Sequence, residues 1–509
     1  MMQTQKPFVY AAALVTAGAL LLTGCSAGAG GSGGSGGEGG AAPTTVTVAL
    51  TGTPTNLDFT TTAGAAIPQA LMANVYEGLV ELNQEGEIVP LLASGWEVSD
   101  DRATYTFTLN DGVTFSNGAP FTAEDVKFSF ERVQSDWVTT LKGKMDVVES
   151  VEVLSDTEVA VHLSRPSNQW LFDLATPVGA IFTPDGVDDL ANAPVGTGPY
   201  EVASWAPNEK IVLDTRDDYW GDAPKVEQVT LRYFADATAT TNALQTGDVD
   251  AVANLQAPEL LDAFENNDAF TVTEGTSSGE VSLSLNNRVE PFDDVRVRQA
   301  VLYAIDEQAI IDTAWSGYGT TVATYAVPTD PYYEDLNDVY PHDPEKAREL
   351  LAEAGQENVE VTFDVPTRPY AQAVSEIVVS QLKDVGINAT IRSSEFPAVW
   401  LDQVFTNHDF QMTTILAVEA RDMLTVFNNP DYYIGYDNSK IEALAAEADG
   451  ADEDGYVEGM REVARQIVDD AASGVLFLFP NIVVTKSDLQ GMPENAIIEA
   501  LDLTNLSWK

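Results

Sequence analysis

The chain has 509 residues, 79 acidic and 25 basic, for a formal net charge of −54. Such a surface is repelled by phosphate backbones and anionic headgroups, which argues against a nucleic-acid partner, while 44% hydrophobic and 9% aromatic residues exclude a disordered chain. A single cysteine, Cys25, rules out an intramolecular disulfide, and the length exceeds what one hydrophobic core holds, so at least two domains stabilised by their cores are expected.

Lys6 precedes an apolar run, Phe8 to Leu22, which leads through Thr23 and Gly24 to Cys25. The run is close to a signal-peptide core and short of the roughly 20 residues a membrane span needs. The order is similar to a bacterial lipoprotein signal, with residues 1–24 removed and Cys25 carrying a diacylglycerol. Residues 25–43 are then a glycine- and serine-rich tether with a root-mean-square reach of roughly 20–25 Å.

From Val46 onward, alternation and helical periodicity interleave. Val46 to Leu50 reads as a strand, Tyr105, Phe107 and Leu109 share one strand face, and Val151–Leu154 with Glu158–Leu163 form a hairpin around Ser155-Asp156-Thr157. Thr122 and Asp125 form a capping box ahead of Val126, Phe130 and Val133. Asp293 is expected to cap a helix carrying Val297, Ala300, Val301 and Ala304, and Asp343-Pro344 starts another that Gly355 stops. Strand Val359–Val365, a helix near Ala371 to Val385 and strand Ile387–Arg392 make a βαβ unit. Hairpins mixed with βαβ units give an α/β architecture in several lobes.

Catalytic constellations are missing. His162, His342 and His408 are far apart, and no P-loop, Gly-x-Ser-x-Gly motif or Cys/His metal cluster occurs. No cofactor or metal is expected, and binding is favoured over catalysis, with a surface hydrolase the remote alternative.

Three blocks carry a family resemblance. The first is Val75-Tyr76-Glu77-Gly78-Leu79-Val80 with Asp111-Gly112-Val113-Thr114-Phe115 and Phe121-Thr122-Ala123-Glu124-Asp125-Val126. The second is Gly196-Thr197-Gly198-Pro199-Tyr200 with Asp218-Tyr219-Trp220 and Gly247-Asp248-Val249-Asp250. The third is Asn286-Asn287, Pro291-Phe292-Asp293-Asp294-Val295-Arg296 and Ala304-Ile305-Asp306. In this order and spacing they resemble extracellular solute-binding proteins of family 5, closest in pattern to the dipeptide- and oligopeptide-binding members. The resemblance implies a periplasmic-binding-protein-like class II clamshell with three lobes. Lobe I is expected from residues 44–74, 193–284 and 478–509, lobe II from 75–192 and lobe III from 285–477. It further implies a monomeric, lipid-anchored receptor outside the cytoplasmic membrane that hands peptides to an ABC permease. An oligosaccharide, an opine-like conjugate or a metal chelate is the alternative cargo.

In dipeptide-binding members an arginine before Pro-Tyr pairs with the peptide's carboxylate, and Thr367-Arg368-Pro369-Tyr370 matches it. A planar guanidinium suits bidentate carboxylate recognition. The amine-binding aspartate of those members lies three residues after a tryptophan. Leu416 replaces that tryptophan here, Glu419 stands at the aspartate's place, and Asp422 follows. Asn254 resembles a backbone-contacting position of oligopeptide-binding members, and Trp400 and Phe396 are candidate pocket walls.

Overall fold

The computed structural model describes residues 43–509, so the leader, Cys25 and the tether up to Ala42 lie outside the described residues. Three sheets organise the chain. A seven-stranded sheet runs in the order Phe270–Gly275, Asn481–Lys486, Ala251–Val252, Thr45–Leu50, Gln228–Tyr233, Lys210–Thr215, Tyr200–Ala206. A five-stranded sheet has the order Ile387–Ser394, Val359–Pro366, Met412–Ala417, Glu280–Leu285, Gly474–Leu478, and a four-stranded antiparallel sheet is built from residues 93–163. Thr45–Leu50 lies parallel to both of its neighbours, and Val359–Pro366 is parallel to Ile387–Ser394, as a βαβ unit requires.

Local sequence explains most boundaries. Helix Ala123–Asp136 opens on the expected capping box: Asp125 Oδ2 accepts from the Thr122 N–H at 2.9 Å and from its hydroxyl at 3.1 Å. Helix Pro344–Ala354 is capped by Asp343 and ends on Gly355 at φ 72°, a left-handed position that glycine adopts without a Cβ penalty. Helix Pro369–Val385 starts two residues earlier than its apolar spacing suggests, because Pro369 suits the first helical position; Arg368 becomes its N-cap. It buries Tyr370, Val374, Val378, Leu382 and Val385 against the five-stranded sheet, and each such aliphatic contributes about 1.5–3 kcal/mol. One cap is corrected. The helix after the third block is Val295–Ala304, and Asp294, not Asp293, is its N-cap, accepting from the Arg296 N–H at 2.9 Å. Asp293 belongs to the preceding turn, its N–H bonded to the Val289 carbonyl.

The family blocks are scaffold. Gly196 and Gly198 return the chain from the four-stranded sheet against its own outgoing segment: the Gly198 N–H donates to the Val75 carbonyl at 3.0 Å. A Cβ on Gly196 would stand 1.9 Å from that same oxygen. Arg216 spans the turn by donating to the Thr197 and Gly198 carbonyls at 3.0 and 3.1 Å. Glu77, 2% exposed, accepts from the Tyr219 hydroxyl at 2.7 Å and the Trp220 indole at 3.1 Å.

Two short segments join the seven- and five-stranded sheets, Thr276–Gly279 and Phe479–Pro480. They run side by side, with the Phe479 N–H donating to the Gly279 carbonyl at 2.7 Å and the Ser277 hydroxyl to the Phe479 carbonyl at 2.5 Å. Few backbone torsions therefore separate the two sheets.

Candidate functional site

A cleft of about 130 Å³ opens over these crossing segments, lined by Gln69, Asn254, Ser278, Leu416, Phe479 and Glu499. Through Ile498 and Glu499 it continues into a recess of about 20 Å³ where Lys144, Thr176 and Glu419 meet Glu499. The walls come from all three sheets' surroundings, and the polar groups are amides, hydroxyls, carboxylates and one ammonium.

Asn254 follows strand Ala251–Val252 in the left-handed region at φ 50°, which asparagine tolerates better than most residues, and reaches the cleft. Strand Met412–Ala417 ends at its rim. Beyond it Glu419 is exposed to the recess, whereas Asp422 turns inward and is 6% exposed. The Asp422 carboxyl is pushed well above the ordinary range by burial, then by Glu419 and Asp330. Glu280, 2% exposed, is raised in the same way by burial, Asp422 and Asp330. Arg421, at φ 54°, sets Nε 3.4 Å from Asp330 Oδ1 and its guanidinium 3.9 Å above the Phe172 ring. Of the two candidate amine partners, Glu419 is the carboxylate that lines the cleft.

Arg368 is exposed at the N-cap of Pro369–Val385, its guanidinium 4.7 Å from the Phe396 ring, and no carboxylate pairs with it among the described residues. Two residues on, the Tyr370 hydroxyl accepts from the Leu416 N–H at 2.9 Å and so ties that helix start to the cleft rim. Trp400 is 2% exposed; its indole donates to the Thr413 hydroxyl at 3.1 Å and its ring packs on Phe396 and Tyr433. It is a core residue beneath the rim, not a cleft wall, because that hydrogen bond and the buried aromatic cluster hold it inside; half-buried Phe396 is the ring under Arg368. The histidines sit elsewhere, His162 beside Thr104 and Glu152, His342 beside Asp306, and His408 beside Arg288.

Lys144, Asp173 and Glu499 were not legible as site residues. Lys144 Nζ stands 3.2 Å from Asp173 Oδ1. Burial disfavours its ammonium, but Asp173, with Glu419 and Glu499 beyond, raises its pKa above the usual lysine value. Burial and then Glu419 raise the Glu499 carboxyl. Only the fold brings residues 144, 419 and 499 together, and no local motif marks them.

The family described as bacterial extracellular solute-binding proteins, family 5, matches residues 87–439. The glutathione-binding protein GsiB of Escherichia coli K12 is 32% identical over 342 residues, 65% of this chain and 66% of its own, so the likeness spans just under two thirds of that relative's length. The periplasmic binding protein DppA of Helicobacter pylori, solved with the peptide STSA, superposes with a TM-score of 0.76 at 23% identity, over 92% of this chain and 98% of its own. AgaA of A. tumefaciens R10, solved with agropinic acid, gives a TM-score of 0.76 at 24% identity over 91% and 99%. These superpositions establish a shared clamshell fold.

Proposed function

This chain belongs to the bacterial extracellular solute-binding proteins of family 5, and from that premise we propose that it is the receptor of an ABC importer, capturing peptides in the cleft over the crossing segments. The observation that carries the reading is the cleft itself, where Asn254, Glu419, Glu499 and Lys144 converge from separate parts of the chain beside the two crossing segments. Lobe I is residues 44–74, 193–284 and 478–509, lobe II 75–192 and lobe III 285–477, and closure of lobe III on the other two buries the ligand. A ligand drives such closure only by contacts that differ between open and closed states. Glu419 holds the peptide's ammonium, Arg368 its carboxylate, and Asn254 its backbone, while Asp422 and Trp400 support the rim from within. A lipid on Cys25 keeps the monomer at the outer face of the cytoplasmic membrane, near its permease.

Peptide binding is supported by the peptide-bound fold relative. The agropinic-acid-bound relative, equal in TM-score, favours an opine-like conjugate as the second reading. Mass spectrometry of small molecules released from protein purified from its own host, followed by calorimetric titration with di- to pentapeptides, tests both. Release of a peptide and saturable heats support the first; a conjugate in the eluate and no heat with any peptide sink it.

A further inference from the structure

We infer that Asp449 is the latch of lobe closure, a positioning residue that docks the helix Asn168–Asp173 and through it the Lys144 ammonium at the cleft. The inference rests on the reading of the cleft as a ligand site that closes between lobes. Asp449 lies near the end of helix Glu442–Gly450, on the side of the five-stranded sheet, and is 5% exposed. Its carboxylate accepts from three donors, all on the side of the four-stranded sheet: Arg165 Nη1 at 2.5 Å, the Ser167 hydroxyl at 3.0 Å and the Gln169 N–H at 2.9 Å. The Asn168 amide adds bonds to the Asp449 and Ala451 carbonyls at 2.9 and 2.8 Å. Asn168 is itself fixed from behind, its side-chain oxygen accepting from Arg102 Nη2 at 2.8 Å.

These donors gather around one carboxylate from residues about 280 positions away. Only an acceptor with two oxygens and a full charge satisfies a guanidinium, a hydroxyl and a backbone N–H together. Parting the lobes leaves all three without that partner, so the contact belongs to the closed arrangement. The docked helix is short and carries the signal directly. Its N-terminal residues meet Asp449, its Phe172 ring lies under Arg421, and its last residue, Asp173, holds Lys144 at the recess. Asp449 touches no ligand; it acts by weighting the closed state.

The test uses the full chain with Cys25→Ser, dyes placed through Glu131→Cys and Glu462→Cys to report the lobe distance, and stopped-flow kinetics with the tightest-binding peptide. Asp449→Ala is expected to shift the ligand-free distance distribution toward longer values and to speed peptide dissociation roughly tenfold, with association changed less than about twofold. Asp449→Asn, which keeps an acceptor for Ser167 and Gln169, gives a smaller acceleration and guards against misfolding of the alanine variant. Arg165→Ala added to Asp449→Ala adds nothing further if the two act as one contact. Coinciding distance distributions in wild type and Asp449→Ala, or fully additive effects of the two substitutions, overturn the latch. If no peptide binds wild type while the ligand-free distributions still differ, the peptide reading fails and the latch stands.

Discussion

Lys144 and Asp173 face one another across 3.2 Å at the wall of the recess, the aspartate nearly buried and the lysine partly open to solvent. Asp173 Oδ1 also accepts from Gln169 Nε2 at 3.1 Å, so both partners converge on one oxygen. Removing one member of such a pair strands the other. Lys144→Met is expected to lower stability by about 2 kcal/mol, and Lys144→Met with Asp173→Asn to recover much of that loss. Denaturant unfolding of the three proteins checks it; equal losses for the single and double variants would show that the pair is not coupled.

Gly196 meets the Val75 carbonyl where the two strands of chain entering and leaving the four-stranded sheet touch. A methyl group there would sit 1.9 Å from the oxygen, which is buried backbone, and 3.0 Å from the Tyr76 ring, which is packed against Phe59 and Phe182. Gly196→Ala is therefore expected to cost about 3 kcal/mol or more. Gly247→Ala is the comparison, since no atom lies within 4 Å of its Cβ position and only its φ of 81° is strained, a penalty of roughly 1 kcal/mol. A larger thermal shift for Gly247→Ala than for Gly196→Ala would contradict the steric account.

Such contacts explain what could be read in advance. The capping box at Thr122 and Asp125, the Asp343 cap and the βαβ unit were legible because their causes lie within a few residues. The family blocks were recognisable for a related reason: Gly196, Glu77 and Tyr219 each answer a fixed demand of the scaffold. Asp293 and Asp294 are adjacent and chemically identical, so the cap was misplaced by one; where the helix begins depends on the preceding turn at Val289. Trp400 had an apolar surround that pattern alone cannot assign to core or cleft. Lys144 stands in the short 3-10 helix Thr140–Met145 and Glu499 on an irregular segment, and they acquire meaning only when distant parts of the chain meet.

Arg368 has an aromatic face under its guanidinium and no carboxylate partner among the described residues, which leaves its N–H groups open to an anion. If it holds a peptide's carboxylate, Arg368→Ala weakens binding of free-acid peptides by roughly tenfold or more and leaves C-terminally amidated peptides nearly unaffected. Calorimetric titration with matched pairs separates this from a structural effect. Equal losses for acid and amide forms would remove Arg368 from ligand recognition.

Three carboxyls, Asp330 buried and Glu81 and Glu307 half-buried, set a pH dependence. Burial raises Glu307 from 4.5 to about 7, with Asp306 adding to it; burial, Asp502 and Glu77 raise Glu81 to about 7; and burial against a partial offset from Arg421 raises Asp330 from 3.8 to about 6. In each case the folded state keeps a proton that the unfolded chain has already released. Between the unfolded and folded values the unfolded state binds fewer protons, so stability falls as pH rises through that window. Their contribution is present in full below about pH 4 and lost by about pH 7. The net charge of −54 pushes the same way, so a variant is needed to isolate one group. Glu307→Gln cannot ionise and is expected to match wild type near pH 4 but to exceed it by on the order of 2 kcal/mol at pH 8. Urea midpoints at the two pH values give the answer: parallel shifts in both proteins would mean that Glu307 is ionised in the fold and contributes nothing to the slope.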